Sequence, residues 1–267
     1  MPLPAGGQTL LFGSIASAAA VVVRFAWSGL TARYPVTVTC LVFSAGRMAA
    51  ELYLWSSGIR LFGRDGYGLV YLVTQPILWI LYFLVVLELY SVTLDEFPGI
   101  QRLGKLVLFS ALGAVALACG TLMVVDHEAG IDPSPFLLHL ALQQRSVFIT
   151  LSAVTLLLLL FIGHYRLPVP RNVLILWACF GGYFISSAVL LTLRWHFGAD
   201  FKPIRDLSNA VFYFLALAGA TIFLSRAGET ETRPIRPLWG GRSRELELNL
   251  SLQLQNFNEA LVKVLRQ

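Results

Sequence analysis

Seven apolar stretches, near residues 9–31, 36–56, 68–94, 104–125, 146–165, 172–194 and 207–225, fill most of this chain. Each is long enough to cross a bilayer, because a hydrocarbon core about 30 Å thick needs about 20 residues of helix rising 1.5 Å each. In lipid every backbone amide and carbonyl needs an internal partner, and a helix supplies one within the segment. The expected fold is therefore all-α: a polytopic transmembrane bundle of seven helices, closed by a short C-terminal cytoplasmic amphipathic helix. The division expected is a seven-helix domain over 1–226, a linker over 227–244 and an amphipathic tail over 245–267.

Composition agrees. Hydrophobic residues make up 57% of the chain and charged residues 13%, about half the charged share of an ordinary soluble domain. The charges sit mostly between the apolar runs. The six-helix alternative has one run re-entrant or lying in the interface, and run 1, rich in Ala and Gly and carrying Arg24, is the weakest of the seven. The N-terminus lacks the basic segment of a signal peptide, so run 1 reads as a retained helix. The net charge of +5 points to membrane lipid headgroups as the partner. No basic patch interleaved with aromatics marks a nucleic-acid surface.

Orientation follows from Lys and Arg in short loops. With the N-terminus outside, the inner segments hold Arg33, Arg102, Lys105, Arg166, Arg171 and Arg226. The outer loops hold Arg60, Arg64, Arg145, Arg194, Lys202 and Arg205. The loops tie, and Arg233, Arg236, Arg242 and Arg244 after run 7 decide for a cytoplasmic C-terminus. The expected location is the cell inner (plasma) membrane, multi-pass, with the N-terminus outside. Residues 136–143, after Pro133 and Pro135, read as a short interfacial helix leading into run 5. In the tail, Leu246 to Leu254 alternate as in a strand, whereas Leu250, Leu254, Phe257, Leu261 and Val264 step as a helical seam. The seam runs to the end of the chain, so the tail reads as a helix that dimerises, meets a protein partner, packs under the bundle or lies on the inner leaflet.

Charges inside hydrocarbon cost several kcal/mol unless paired, so the few present are the site candidates. Arg47 and Glu51 in run 2 stand one turn apart on one face and suit a local ion pair. Gln75, beside the kink residue Pro76, lies in the outer half of run 3. Arg24 in run 1 and Glu88 in run 3 share a depth, which suits a bridge between them. Asn209, Ser186 and Ser187 read as interhelical hydrogen-bond glue, and Gly181-Gly182 as a close helix approach. Cys40, Cys119 and Cys179 form no C-x-x-C pair and read as small buried hydrophobes. No metal-ligand spacing, nucleophile–base pair, phosphate loop or run 7 lysine is present. No catalytic residue, cofactor or metal is assigned, and the reading leans away from an enzyme.

Three stretches carry a likeness. One is Tyr82 to Lys105, where a helix bearing Glu88 runs into Phe97-Pro98-Gly99-Ile100-Gln101-Arg102-Leu103-Gly104-Lys105. Another is Gln144-Arg145-Ser146-Val147, and the last is Asn258-Glu259-Ala260-Leu261. On these the chain resembles a group of uncharacterised seven-helix integral membrane proteins abundant in acidobacterial genomes. The resemblance implies a bacterial seven-helix membrane fold and no activity. The functional expectation is a sensor or scaffold that signals through the tail. The alternatives are a small-solute transporter or channel lined by Arg47, Glu51 and Gln75 with Arg24 and Glu88 as an inner gate, and a subunit of a larger membrane complex.

Overall fold

The computed structural model describes residues 5–57, 60–61, 64–107, 109–110, 113, 133–165, 167–198, 201–230, 232–234 and 244–264. The architecture is helical. Helix α1 spans Ala5–Ser28, α2 Pro35–Ser57 and α3 Gly66–Thr93. Helix α4 starts at residue 98 and is described over 98–107. Then come α5 (Pro133–Tyr165), α6 (Arg171–Phe197), α7 (Lys202–Phe223) and α8 (Arg244–Val264). Two short antiparallel ribbons join loops: β1 (Arg60–Leu61) with β2 (Arg64–Asp65), and β3 (Pro168–Pro170) with β4 (Thr232–Pro234).

Val73–Thr93, Gln143–Tyr165, Arg171–Phe197 and Lys202–Phe223 are long and apolar enough to cross a membrane, and Phe12–Ser28 is a shorter apolar helix. Their outward faces are apolar. Leu157 and Leu160 on α5 are 66% and 64% exposed, and Ile222 on α7 is 69% exposed. Such a surface is unfavourable in water and suited to lipid. Trp27, Tyr53 and Trp195, near helix ends, are also exposed, as side chains of an interfacial belt are.

Packing runs α1 to α2 to α3 and α5 to α6 to α7, and α7 returns to α1. Helix α3 also touches α5 and α6, and its C-terminal half, from Tyr82 to Thr93, is largely buried. Tyr82, Phe148, Tyr183 and Phe184 form an aromatic knot there, with centroid separations of 5.3–6.1 Å. Trp177 of α6 donates to the Thr93 hydroxyl of α3 at 3.2 Å.

The loop ends gather at one side of the bundle. Helix α1 stops at Gly29, whose φ of +69° lets Leu30 donate back to Phe25 O and Gly29 to Ala26 O, a pair of hydrogen bonds that closes the last turn. Tyr34, just beyond, donates to Glu229 at 2.7 Å. Asn172, fully buried at the start of α6, donates to Ser225 O and to Glu229. Tyr34 lies outside the apolar spans; burial first, then its bond to Glu229, pushes its phenol pKa up, which keeps it a donor.

One expectation is corrected. Residues 136–143 are not a separate interfacial helix but part of the continuous α5. Pro133 and Pro135 fall in its first turn, where a missing amide costs nothing, and no breaker follows. At 33 residues α5 is about 50 Å long, more than a bilayer requires. Within the stretch read as a linker, a 3-10 turn covers Arg226–Glu229 and β4 pairs with β3. Pro76 sits inside α3, which continues through it. The tail is helical, and Cys119 lies outside the described residues.

The close approach of α5 and α6 depends on Gly181, where an added Cβ would stand 2.7 Å from Thr155 Cγ2, while Gly182 faces open space. Gly181→Val is expected to destabilise the protein by about 1–3 kcal/mol through overpacking, and Gly182→Val to be near neutral. Thermal unfolding of both variants in detergent micelles checks this, and equal shifts would contradict it.

Candidate functional site

The candidate residues do come together, in two places, but not as the sequence pairs them. At the end opposite the gathered loops, the Arg47 Nε donates to Glu51 at 2.7 Å and its Nη1 to Gln75 Oε1. Both charged side chains are 11% exposed. The guanidinium also lies over the Tyr71 ring, 5.0 Å from its centroid. Tyr71 in turn donates to Gln144 Oε1 at 3.2 Å. Helix α2 supplies the ion pair, α3 Tyr71 and Gln75, and α5 Gln144. The expected Arg47–Glu51 pair is therefore present, and it extends across three helices.

The helical spacing explains the first half. Arg47 and Glu51 are i, i+4, and Gln75 is on the face of α3 that packs against α2. The network continues one layer deeper. Ser44 and Tyr213 share a 2.7 Å hydrogen bond between α2 and α7. Ser187 of α6 donates to Asn209 of α7, also at 2.7 Å, so those two residues are the glue their positions suggest. Below, a cavity of about 20 Å³ lies among Val21, Leu41, Cys179, Tyr183, Tyr213 and Leu217, room for a single water.

Arg24 and Glu88 do not form a bridge. Glu88 accepts from the Val36 amide at 2.8 Å, the Thr37 amide at 2.8 Å and the Thr37 hydroxyl at 2.6 Å. It is the anion at the N-terminus of α2, held there by a neighbouring helix. Arg24 Nε donates to Leu224 O at 2.9 Å, the carbonyl just past the end of α7. Helix ends expose four unpaired groups and a partial charge, positive at the N-terminus and negative at the C-terminus. Each side chain takes the helix end of opposite sign, which satisfies several polar groups where a bridge would satisfy one pair.

No family model, curated protein or solved structure matches the chain. The site's chemistry is thus carried by its own geometry.

A third junction escapes the pattern of the sequence. Asn258 of α8 accepts through Oδ1 from the Gly99 amide at 2.8 Å and the Ile100 amide at 3.4 Å, covering the first turn of α4. Gly99 is small of necessity, since a Cβ there would stand 2.6 Å from Asn258 O. Leu254 is buried and Leu261 packs on the core, while Phe257 and Val264 face outward. The described part of the seam therefore splits: Leu254, Asn258 and Leu261 dock, and Phe257 and Val264 do not. A polar residue between two apolar ones at i, i+4 and i+7 was the available signal, and its partner amides lie 158 or more residues away.

Two outcomes check these assignments. Glu88→Leu strips two amides of their acceptor, at about 1–3 kcal/mol each, so it is expected to destabilise far more than Arg24→Gln. The Arg24/Glu88 double-mutant cycle is expected to show coupling under about 0.5 kcal/mol, and a coupling of several times that would restore the bridge. Glu51→Gln leaves Arg47 buried without its counter-charge and is expected to cost about 3–5 kcal/mol, whereas the joint Arg47→Met, Glu51→Leu replacement recovers much of the loss. Chemical denaturation of the three variants measures the difference.

Proposed function

We propose that this chain is a seven-pass bacterial inner-membrane sensor or scaffold, with the N-terminus outside, the C-terminus in the cytoplasm and α8 as its output element. The proposal includes membership of the seven-helix group that its motifs resemble. The seven-pass reading is supported by the connections. The turn after α1, the turn before α4, β3 before α6 and the stretch after α7 meet one another through Tyr34–Glu229, Asn172–Ser225, β3–β4 and Gly99–Asn258. Helices that alternate in direction bring every second connection to the same side. That side also receives α8, and the sequence around α8 is rich in basic residues, which favours the cytoplasm.

The observation that carries the sensor reading is the docking of α8. Its described contacts are one side-chain oxygen on two amides, a narrow apolar strip and a contact with α5. The start of α4 directly follows α3, which carries Tyr71 and Gln75 of the polar network at its other end, and α5 carries Gln144 of that network. A change at the network therefore has two helices, α3 and α5, through which to reach the tail. The transporter reading loses its inner gate, because Arg24 and Glu88 each hold a helix end, and the Arg47 guanidinium is engaged by Glu51, Gln75 and Tyr71.

Leu254→Cys, in a chain whose own cysteines are replaced by Ala, reports tail docking through its rate of maleimide labelling in inside-out vesicles. Slow labelling is expected, with at least a tenfold increase when Asn258→Leu is added. Fast labelling without that second change would show that the tail is not docked. Deleting 245–267 is expected to change the oligomeric state or a co-purifying partner. If it changes neither, the output role fails.

A further inference from the structure

Two apolar strips run side by side along α8, and the bundle covers one of them. Leu254, 5% exposed, and Leu261 pack on the core. Phe257 and Val264, 52% and 65% exposed, do not. Each pair repeats after seven residues and so keeps one line along the helix. At 3.6 residues per turn the two lines stand about 60° apart. The uncovered strip therefore borders the seat of α8 on α4 and α5.

Its other border is formed by Gln253 and Ala260, both exposed, which stand one turn before Phe257 and Val264. The charged side chains described on α8, Glu259 and Lys263, are exposed as well. They point elsewhere, about 160° round from Phe257 and about 100° round from Val264 respectively. This uncharged border bears on what completes the strip. A helix that lies on an anionic leaflet flanks its apolar face with Lys and Arg, and Gln253 and Ala260 supply no such charge. Leu254, Phe257, Leu261 and Val264 step by 3, 4, 3, the spacing of a paired-helix seam, in which the bordering residues choose the partner by charge. Gln and Ala there do not repel their own copies. An amide both donates and accepts, so Gln253 is compatible with the same face of another α8, and a two-fold contact requires a surface that complements itself. Two apolar side chains are few beside the about 800 Å² per partner that a stable complex formed from solution buries. Copies held in one bilayer meet at a raised effective concentration, where a narrow strip suffices.

We infer that the Phe257–Val264 strip of α8 is a self-association surface, on which α8 of a second copy of this chain seats. This rests on the reading of α8 as the output element of a membrane sensor, and it names what that element meets. Docking and pairing use neighbouring lines of one helix, so one α8 can hold both contacts at once.

The test uses the full chain in membrane vesicles, with its three cysteines replaced by Ala. Under copper phenanthroline, Phe257→Cys is expected to form a disulfide-linked dimer at least ten times faster than Leu252→Cys. Leu252 is similarly exposed at 55% but stands about 140° round the helix from Phe257. In detergent, Phe257→Glu is expected to convert the particle from dimer to monomer by mass, and Phe257→Leu to keep the dimer. Equal crosslinking rates at the two positions, or a mass that Phe257→Glu leaves unchanged, would overturn the pairing. Slow maleimide labelling of Phe257→Cys without crosslinking would assign the strip to the leaflet and overturn it too. The Leu254→Cys labelling rate separates the two proposals. Slow labelling there without a Phe257→Cys dimer removes the pairing and leaves the docked tail. Fast labelling there with a Phe257→Cys dimer removes the docked state and leaves the pairing.

Discussion

Helix ends govern this structure. Every α-helix leaves its first amides and last carbonyls without partners, and in a low-dielectric interior each orphan costs about as much as a lost hydrogen bond. The chain assigns several of its polar side chains to that problem. Glu88 covers the start of α2, Arg24 the end of α7, Asn258 the start of α4, and Asn172 the turn that follows α7. In each case the capping residue belongs to a different element from the end it caps. The caps therefore act as the ties of the bundle as well as its terminations, and the helix order depends on them.

The apolar core supplies mass where the caps supply register. The C-terminal half of α3 is surrounded, with Tyr82 against Phe148, Tyr183 and Phe184. Offset and edge-on rings add about 0.5–1.5 kcal/mol per pair beyond area, and their shapes fix how α5 and α6 rotate against α3. Gly181 lets the two helices approach on the far side of that knot. Packing of this kind has no preferred direction along the helix axis. The axial register comes from Trp177 on Thr93, Ser187 on Asn209 and Ser44 on Tyr213.

The parts of the fold that repeat along the chain were legible in the sequence. Apolar runs gave α1, α2, α3, α6 and α7 to within five residues at each end, the seam gave α8, and i, i+4 spacing gave the Arg47–Glu51 pair. What was not legible depends on contacts between distant residues. Arg24 and Glu88 share a depth, so a bridge is the natural pairing of two lone charges, yet depth says nothing of which helix end stands nearer. Pro133 and Pro135 read as a break because proline usually is one, and only their place in a first turn reverses that meaning. Asn258 lies in a polar tail where Gln253, Gln255 and Asn256 look equally exposed, and its role is set by Gly99, far away in sequence. Tyr34 and Glu229 form a junction of two loops for the same reason.

The described charges at the two ends of the molecule are answered differently. At the gathered end, Arg33 lies 4.0 Å from both Asp95 and Glu229, and Glu229 also takes Tyr34 and Asn172. Cations and anions there are shared among several partners. At the other end, Arg47 is satisfied by its own helix and by α3, and Arg205 by Asp206, its neighbour in the chain. Helix α3 is bound to α2 through Gln75 and to α5 through Tyr71, and its far end leads to the residues that α8 covers. In the proposed sensor, a shift in the balance of contacts on α3 would reach the tail without a large cavity or a moving loop.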